Sequence, residues 1–154
     1  MVTYTSDEQA TLLQRLSDVD TLRELKATYG VLVDGLVEKL DPKNLDRLAA
    51  MFTEDVKLDF GERAGSFQGQ TAVRKFFGET LPQQREWIWH AFHSPLIEIN
   101  GGHARCRWTV QAALLSRGKS VAGSEVLYGR YDDEYVRTPD GWKQCKLIFT
   151  DESR

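Results

Sequence analysis

A chain of 154 residues with 41% hydrophobic and 28% charged residues points to one globular domain spanning residues 1–154, and excludes a disordered or low-complexity chain. The formal charge of −3 argues against a nucleic-acid footprint, which needs a basic face. No stretch approaches the roughly 18 apolar residues of a membrane span, and the opening "MVTYTSDEQATLLQ" lacks the basic-then-apolar order of a signal peptide, so a cytoplasmic location is expected.

The first half of the chain reads as helix. "SDEQ", from Ser6 to Gln9, has the form of a capping box ahead of Leu12, Leu13 and Leu16. Ser17 or Asp18 is placed to cap a second helix, which carries Leu22, Leu25, Tyr29, Leu32, Val33 and Leu36 at helical spacing. Asp41 as N-cap and Pro42 at the first helical position open a short third helix with Leu45, Leu48 and Phe52 along one side. The period then changes. "DVKLDF" (residues 55–60) alternates as a half-buried strand does, and "GSFQGQ" reads as a short edge strand and turn. "TAVRKFFGETL" is a short helix that stops near Pro82. Four strands follow, over residues 86–100, 104–115, 123–137 and 142–150, separated by "NGGH", "SRGKS" and "TPDGW". Asn-Gly and Pro-Asp-Gly are strong turn signals. Helices followed by an antiparallel meander predict an α+β fold: N-terminal helices packed on a strongly bent, mainly antiparallel sheet that encloses a cavity.

Cys106 and Cys145 form neither a C-x-x-C pair nor a zinc spacing and are expected to be free thiols. The chemistry-bearing candidates lie elsewhere. Tyr29 is central in the apolar stripe of its helix, whereas Asp34 lies ~140° away from it, on the border with Arg23 and Glu38. Asp34 is therefore either a solvated edge carboxylate or a buried acid with a partner. In "WIWHAFHSPLIEI", alternation puts Ile88, His90 and Phe92 on one strand face and Trp87, Trp89 and His93 on the other. The two histidines thus cannot share a metal within a regular strand. His103 falls in a turn.

On the next strand Ala104, Cys106, Trp108, Val110 and Ala112 share the apolar face, and Leu147, Phe149 and Asp151 share a face of the last strand. With Leu127 these predict a pocket for an apolar small molecule, its substrate-contacting set being Ile88, Phe92, Trp108, Val110, Ala112, Leu127, Leu147, Phe149 and Asp151. In such a pocket a carboxylate on the imidazole Nδ1–H fixes the tautomer, leaves Nε2 free and stabilises the imidazolium that forms. A tyrosine hydroxyl can donate to a carbonyl or leaving oxygen. Such acid-base chemistry needs no metal, and no Walker loop, G-x-G-x-x-G, G-x-S-x-G or H-E-x-x-H motif is present.

The segments "LRELKATYGVLVDGLVEKLDPKNLDRLAAMFTEDVKLDF", "SFQGQTAVRKFF", "HAFHSPLIEINGGHARCRW" and "YGRYDDEYVRTPDGWK" resemble, in order and over almost the whole chain, the nuclear-transport-factor-2-like (SnoaL-like, cystatin-like cone) superfamily. The likeness is nearest the branch of scytalone dehydratase, bile acid 7α-dehydratase and hexachlorocyclohexane dehydrochlorinase. That resemblance implies a conical cavity, no cofactor, and a homodimer or homotrimer. It also implies a helix aspartate and a strand histidine as the general base, here Asp34 and His90, with Tyr29 at the position of a tyrosine in the bile acid enzyme. Ala112 and Asp151 replace an aspartate and an arginine of that enzyme, which favours dehydrochlorinase-like or isomerase-like chemistry over bile acid dehydration. The expected function is a cofactor-independent lyase or isomerase acting on a hydrophobic cyclic molecule, with no nucleic-acid or membrane partner. Polyketide-cyclase-like aldol closure uses the same base. A non-catalytic binding or scaffold module of the same fold, with Trp87, Trp89, Arg105 and Arg107 on its outer face, is the remaining alternative.

Overall fold

The computed structural model describes residues 3–153. Helix α1 runs unbroken from Ser6 to Glu38, where the sequence suggested two helices. Its cap is Thr5, not Ser6. The Thr5 hydroxyl accepts the Glu8 N–H, and the Glu8 carboxylate accepts the Thr5 N–H at 2.8 Å, a capping box one residue earlier than "SDEQ". Asp18 opens no second helix because its carboxylate is engaged elsewhere, by Arg137 and Trp142.

Helix α2 (Pro42–Ala50) starts as expected, with the Asp41 side chain accepting the Lys43 N–H. Strand β1 (Phe52–Asp59) and the short β2 (Ser66–Gln68) follow. The next helical segment continues past Pro82: α3 (Gln70–Lys75), a wide π turn (Phe76–Thr80) and α4 (Leu81–Gln84). In the π turn the Leu81 N–H reaches the Phe76 carbonyl. Pro82 then stands at the start of α4, where a missing N–H breaks no bond. Strands β3 (Arg85–Asn100), β4 (His103–Ser116), β5 (Glu125–Thr138) and β6 (Gly141–Asp151) match the four predicted segments within a few residues.

The six strands form one curled, open sheet in the order β2-β1-β6-β5-β4-β3. All neighbours are antiparallel except β1 and β6, which are parallel. This is the α+β arrangement that the helix-then-meander pattern predicted and the cone that the family resemblance implied, with α1 packed against the sheet. The alternating face of β4 is buried as expected, with Ala104, Cys106, Trp108, Val110 and Ala112 each no more than 3% exposed. Two irregularities shape β3. Its register against β4 slips between Arg85 and Trp87, and again between His93 and Leu96, where Ser94 takes a positive φ of 50° ahead of Pro95. Cys106 and Cys145 are free thiols. Among the described residues no helix is long and apolar enough to cross a membrane.

One glycine decides how closely α1 meets β3. A Cβ on Gly30 would lie 2.9 Å from Cε2 of Phe92 and 3.7 Å from Cβ of His90. The absent side chain lets the helix lie directly on the strand, four residues ahead of Asp34.

Candidate active site

The close approach of α1 and β3 brings Asp34 to His90. Asp34 Oδ1 lies 2.6 Å from His90 Nδ1, and Oδ2 accepts the His90 main-chain N–H at 3.0 Å. A carboxylate only accepts hydrogen bonds, so Nδ1 carries the ring proton and Nε2 is the free nitrogen. The His90 side chain is 6% exposed and that of Asp34 22%. The helix wheel thus placed Asp34 correctly at a border, and the edge carboxylate has a partner there. The His90 ring stacks on Phe92, with centroids 5.5 Å apart and planes 9° apart.

His90 lines a predominantly apolar cavity between α1 and the sheet. Of the residues expected there, Tyr29, Ile88, Val110, Ala112, Leu127 and Phe149 line it. Phe92, Trp108, Leu147 and Asp151 do not. The rings of Tyr29, Phe92 and Tyr131 meet with centroids 5.4–6.2 Å apart and close the narrow end. Trp108 pairs with Tyr131, at the level of that closure, and Leu147 pairs with Asp133, one inward-facing position beneath it. Phe92 and Trp108 line a separate outer groove that Asp34 also borders. Asp151 is exposed at the rim, where it accepts from Nε of Arg63 at 2.5 Å.

Several cavity residues were not anticipated. Tyr131 faces the interior beside Tyr29 and His90, and the aromatic wall includes Phe60, Phe76 and Phe77. Arg63, Gln84 and Arg85 add polar groups. Beneath the tyrosines, Lys26 Nζ lies 2.9 Å from Asp133 Oδ2, both side chains being at most 1% exposed. The same ammonium sits 3.8 Å from the Tyr131 ring centroid, 4.6 Å from that of Phe92 and 4.7 Å from that of Tyr29. The pattern held two signals for this pair. Lys26 falls within the apolar stripe of Leu22, Tyr29, Val33 and Leu36, and Asp133 alternates between Tyr131 and Tyr135.

Burial pushes the Tyr29 phenol well above its usual range, with Tyr131, Asp133 and Asp34 adding to the effect. Burial raises Tyr131 as well, against an opposing interaction with Tyr29. Burial thus favours the protonated form of both phenols. Among the described residues, no three His, Cys, Asp or Glu side chains are grouped to hold a metal ion.

The arrangement therefore offers one imidazole with its carboxylate partner, two phenols and an apolar chamber. A profile of the SnoaL-like domain family matches residues 14–148. Among solved structures, a protein named as a candidate scytalone dehydratase from Novosphingobium aromaticivorans superposes with a TM-score of 0.73 at 19% identity, covering 93% of this chain and 87% of that one. The hexachlorocyclohexane dehydrochlorinase LinA-type3 of Novosphingobium barchaimii gives 0.75 at 19% identity, covering 91% and 90%. An NTF2-like protein with a cystatin-like fold from Novosphingobium aromaticivorans gives 0.77 at 18% identity, covering 99% and 93%. At such identities the likeness is one of fold.

Proposed function

The chain belongs to the SnoaL-like domain family, and on that premise we propose that it is a cofactor-independent lyase or isomerase that acts on a hydrophobic cyclic small molecule. The observation that carries the reading is the 2.6 Å contact between Asp34 Oδ1 and His90 Nδ1, made at the wall of an apolar cavity. Two of the fold neighbours carry the names of a dehydratase and a dehydrochlorinase, both elimination catalysts, which supports this class of chemistry.

His90 Nε2 takes a proton from a substrate carbon, while the Nδ1–H stays with Asp34, whose charge stabilises the imidazolium. The electron pair left on carbon then expels a leaving group from the adjacent carbon, completing an elimination. In an isomerisation it shifts instead, and the same imidazolium returns the proton at another carbon. Tyr29 donates a hydrogen bond to the substrate oxygen or leaving group, where charge builds up. The apolar walls exclude water and strengthen each of these interactions.

Thermal-shift screening of flat cyclic compounds identifies ligands, because one that binds only the folded protein raises the midpoint. On a compound that turns over, His90→Ala and Asp34→Asn are each expected to lower kcat by about 10²- to 10⁴-fold, with an unchanged circular dichroism spectrum. Full turnover in either variant rules out the dyad as the base.

A further inference from the structure

The polar groups of the cavity fall into two sets. Tyr29, His90 and Tyr131 form the reactive set, and Arg63, Gln84 and Arg85 form the other. Arg85 and His90 belong to the same strand, five residues apart, a separation of about 16 Å in extended chain. The slip in register between Arg85 and Trp87 puts Arg85 on the cavity face: Arg85 pairs with Ser116 and Trp87 with Leu115, so Glu86 is the extra residue of a bulge. Regular alternation would have put Glu86, not Arg85, in line with Ile88 and His90. Between the two sets the walls are aromatic and aliphatic.

The two arginines differ in their partners. Arg63 is matched by Asp151 at 2.5 Å and Glu125 at 3.4 Å. Arg85 bonds the Ser116 hydroxyl, and among the described residues it meets no carboxylate. Its neighbour Glu86 is engaged by Arg117 at 2.9 Å. A guanidinium carries five N–H donors in a planar fork that matches a carboxylate in two parallel bonds. The Gln84 side chain, which also lines the cavity, carries an amide that can donate a third.

We infer that the substrate is an amphipathic acid, with an apolar cyclic body in the chamber, its reactive carbon at His90 and a carboxylate held by Arg85 and Gln84. This names the substrate class for the base proposed above and rests on that reading for the placement of the reactive end. An arginine that meets no carboxylate among the described residues then selects the acid over its neutral analogues, and fixes which end of the molecule reaches the base.

The test uses two probes of the same shape, 1-naphthaleneacetate and 1-naphthaleneacetamide, titrated calorimetrically into the whole protein at low and high salt. The acid is expected to bind at least tenfold tighter than the amide at low salt, with the advantage shrinking as salt rises. In Arg85→Gln that advantage falls below twofold through loss of acid affinity, and Arg85→Lys retains part of it. Equal binding of acid and amide overturns the inference, as does an undiminished preference in Arg85→Gln, or binding of neither probe. His90→Ala is expected to keep the full preference for the acid. Turnover that survives His90→Ala would remove the proposed base without touching the headgroup assignment, so the two failures are distinguishable.

Discussion

Lys26 occupies a position on α1 that the surrounding stripe of Leu22, Tyr29, Val33 and Leu36 would lead one to fill with an apolar side chain. Its only carboxylate among the described residues is Asp133, and aromatic faces meet the rest of the ammonium. Burial pulls the lysine below its usual range and pushes the aspartic acid above its own, each opposed by the other's charge. Removing one partner strands the other in the core. Lys26→Met is therefore expected to destabilise the protein by about 3–5 kcal/mol in urea unfolding, and Asp133→Asn similarly, whereas the Lys26→Met/Asp133→Leu double variant costs much less than their sum. Single variants within 1 kcal/mol of the parent would show that the pair is not the anchor its burial indicates. Because the ammonium lies against the Tyr131 ring, the single variants also displace a wall of the cavity.

Among the elements, the contact of α1 with β3 matters most, and Gly30 governs it. Gly30→Ala puts a methyl group 2.9 Å from the Phe92 ring. Either the ring on which His90 stacks must move, or the helix must lift. The expected result is a loss of about 1–3 kcal/mol, read from the thermal midpoint, together with a lengthened Asp34–His90 contact in a crystal structure of the variant. An unaltered contact and midpoint would contradict this account. The same junction explains what the sequence could reveal. Turn dipeptides and two-residue alternation are local, so β3 to β6 and their inward faces were legible in advance. The Asp34–His90 contact joins residues 56 apart, and a helix wheel can bring Asp34 only to a border. Trp108 and Leu147 have the expected inward face but lie too deep for the cavity, because alternation carries no information on where three rings close the cone. Arg85 was hidden for a related reason: a bulge reverses alternation, and no glycine or proline marks it.

At the scale of the whole molecule, the long first helix must be held along a sheet formed a hundred residues later. Asp18 does this midway along α1. Its carboxylate accepts from Arg137 at 2.7 Å and from the Trp142 indole at 3.0 Å, on either side of the β5–β6 turn, and from Gln14 at 3.1 Å. The Arg137 guanidinium lies 4.4 Å over the Trp142 ring. The Arg137 hydrogen bond leads in holding the Asp18 carboxyl below its ordinary value; burial opposes it, and Trp142 and Gln14 add to it. A folded-state value below the unfolded one means that the contribution is complete above the unfolded pKa, near 3.9, and is lost as pH falls through the folded one. The thermal midpoint is thus expected to drop below about pH 4, and Asp18→Asn to shallow that drop. Parallel acid limbs in the two proteins would place the titration elsewhere.

The second hydrogen bond of Asp34 has a consequence apart from chemistry. β3 is the outermost strand of the sheet, and its His90 N–H points away from β4, toward the carboxylate. An open strand edge offers such groups to any other extended chain, and proteins suppress this by covering the edge or charging it. Asp34 does both at the middle of β3. The side chain that orients the imidazole also denies a passing chain the place where a seventh strand would begin to pair.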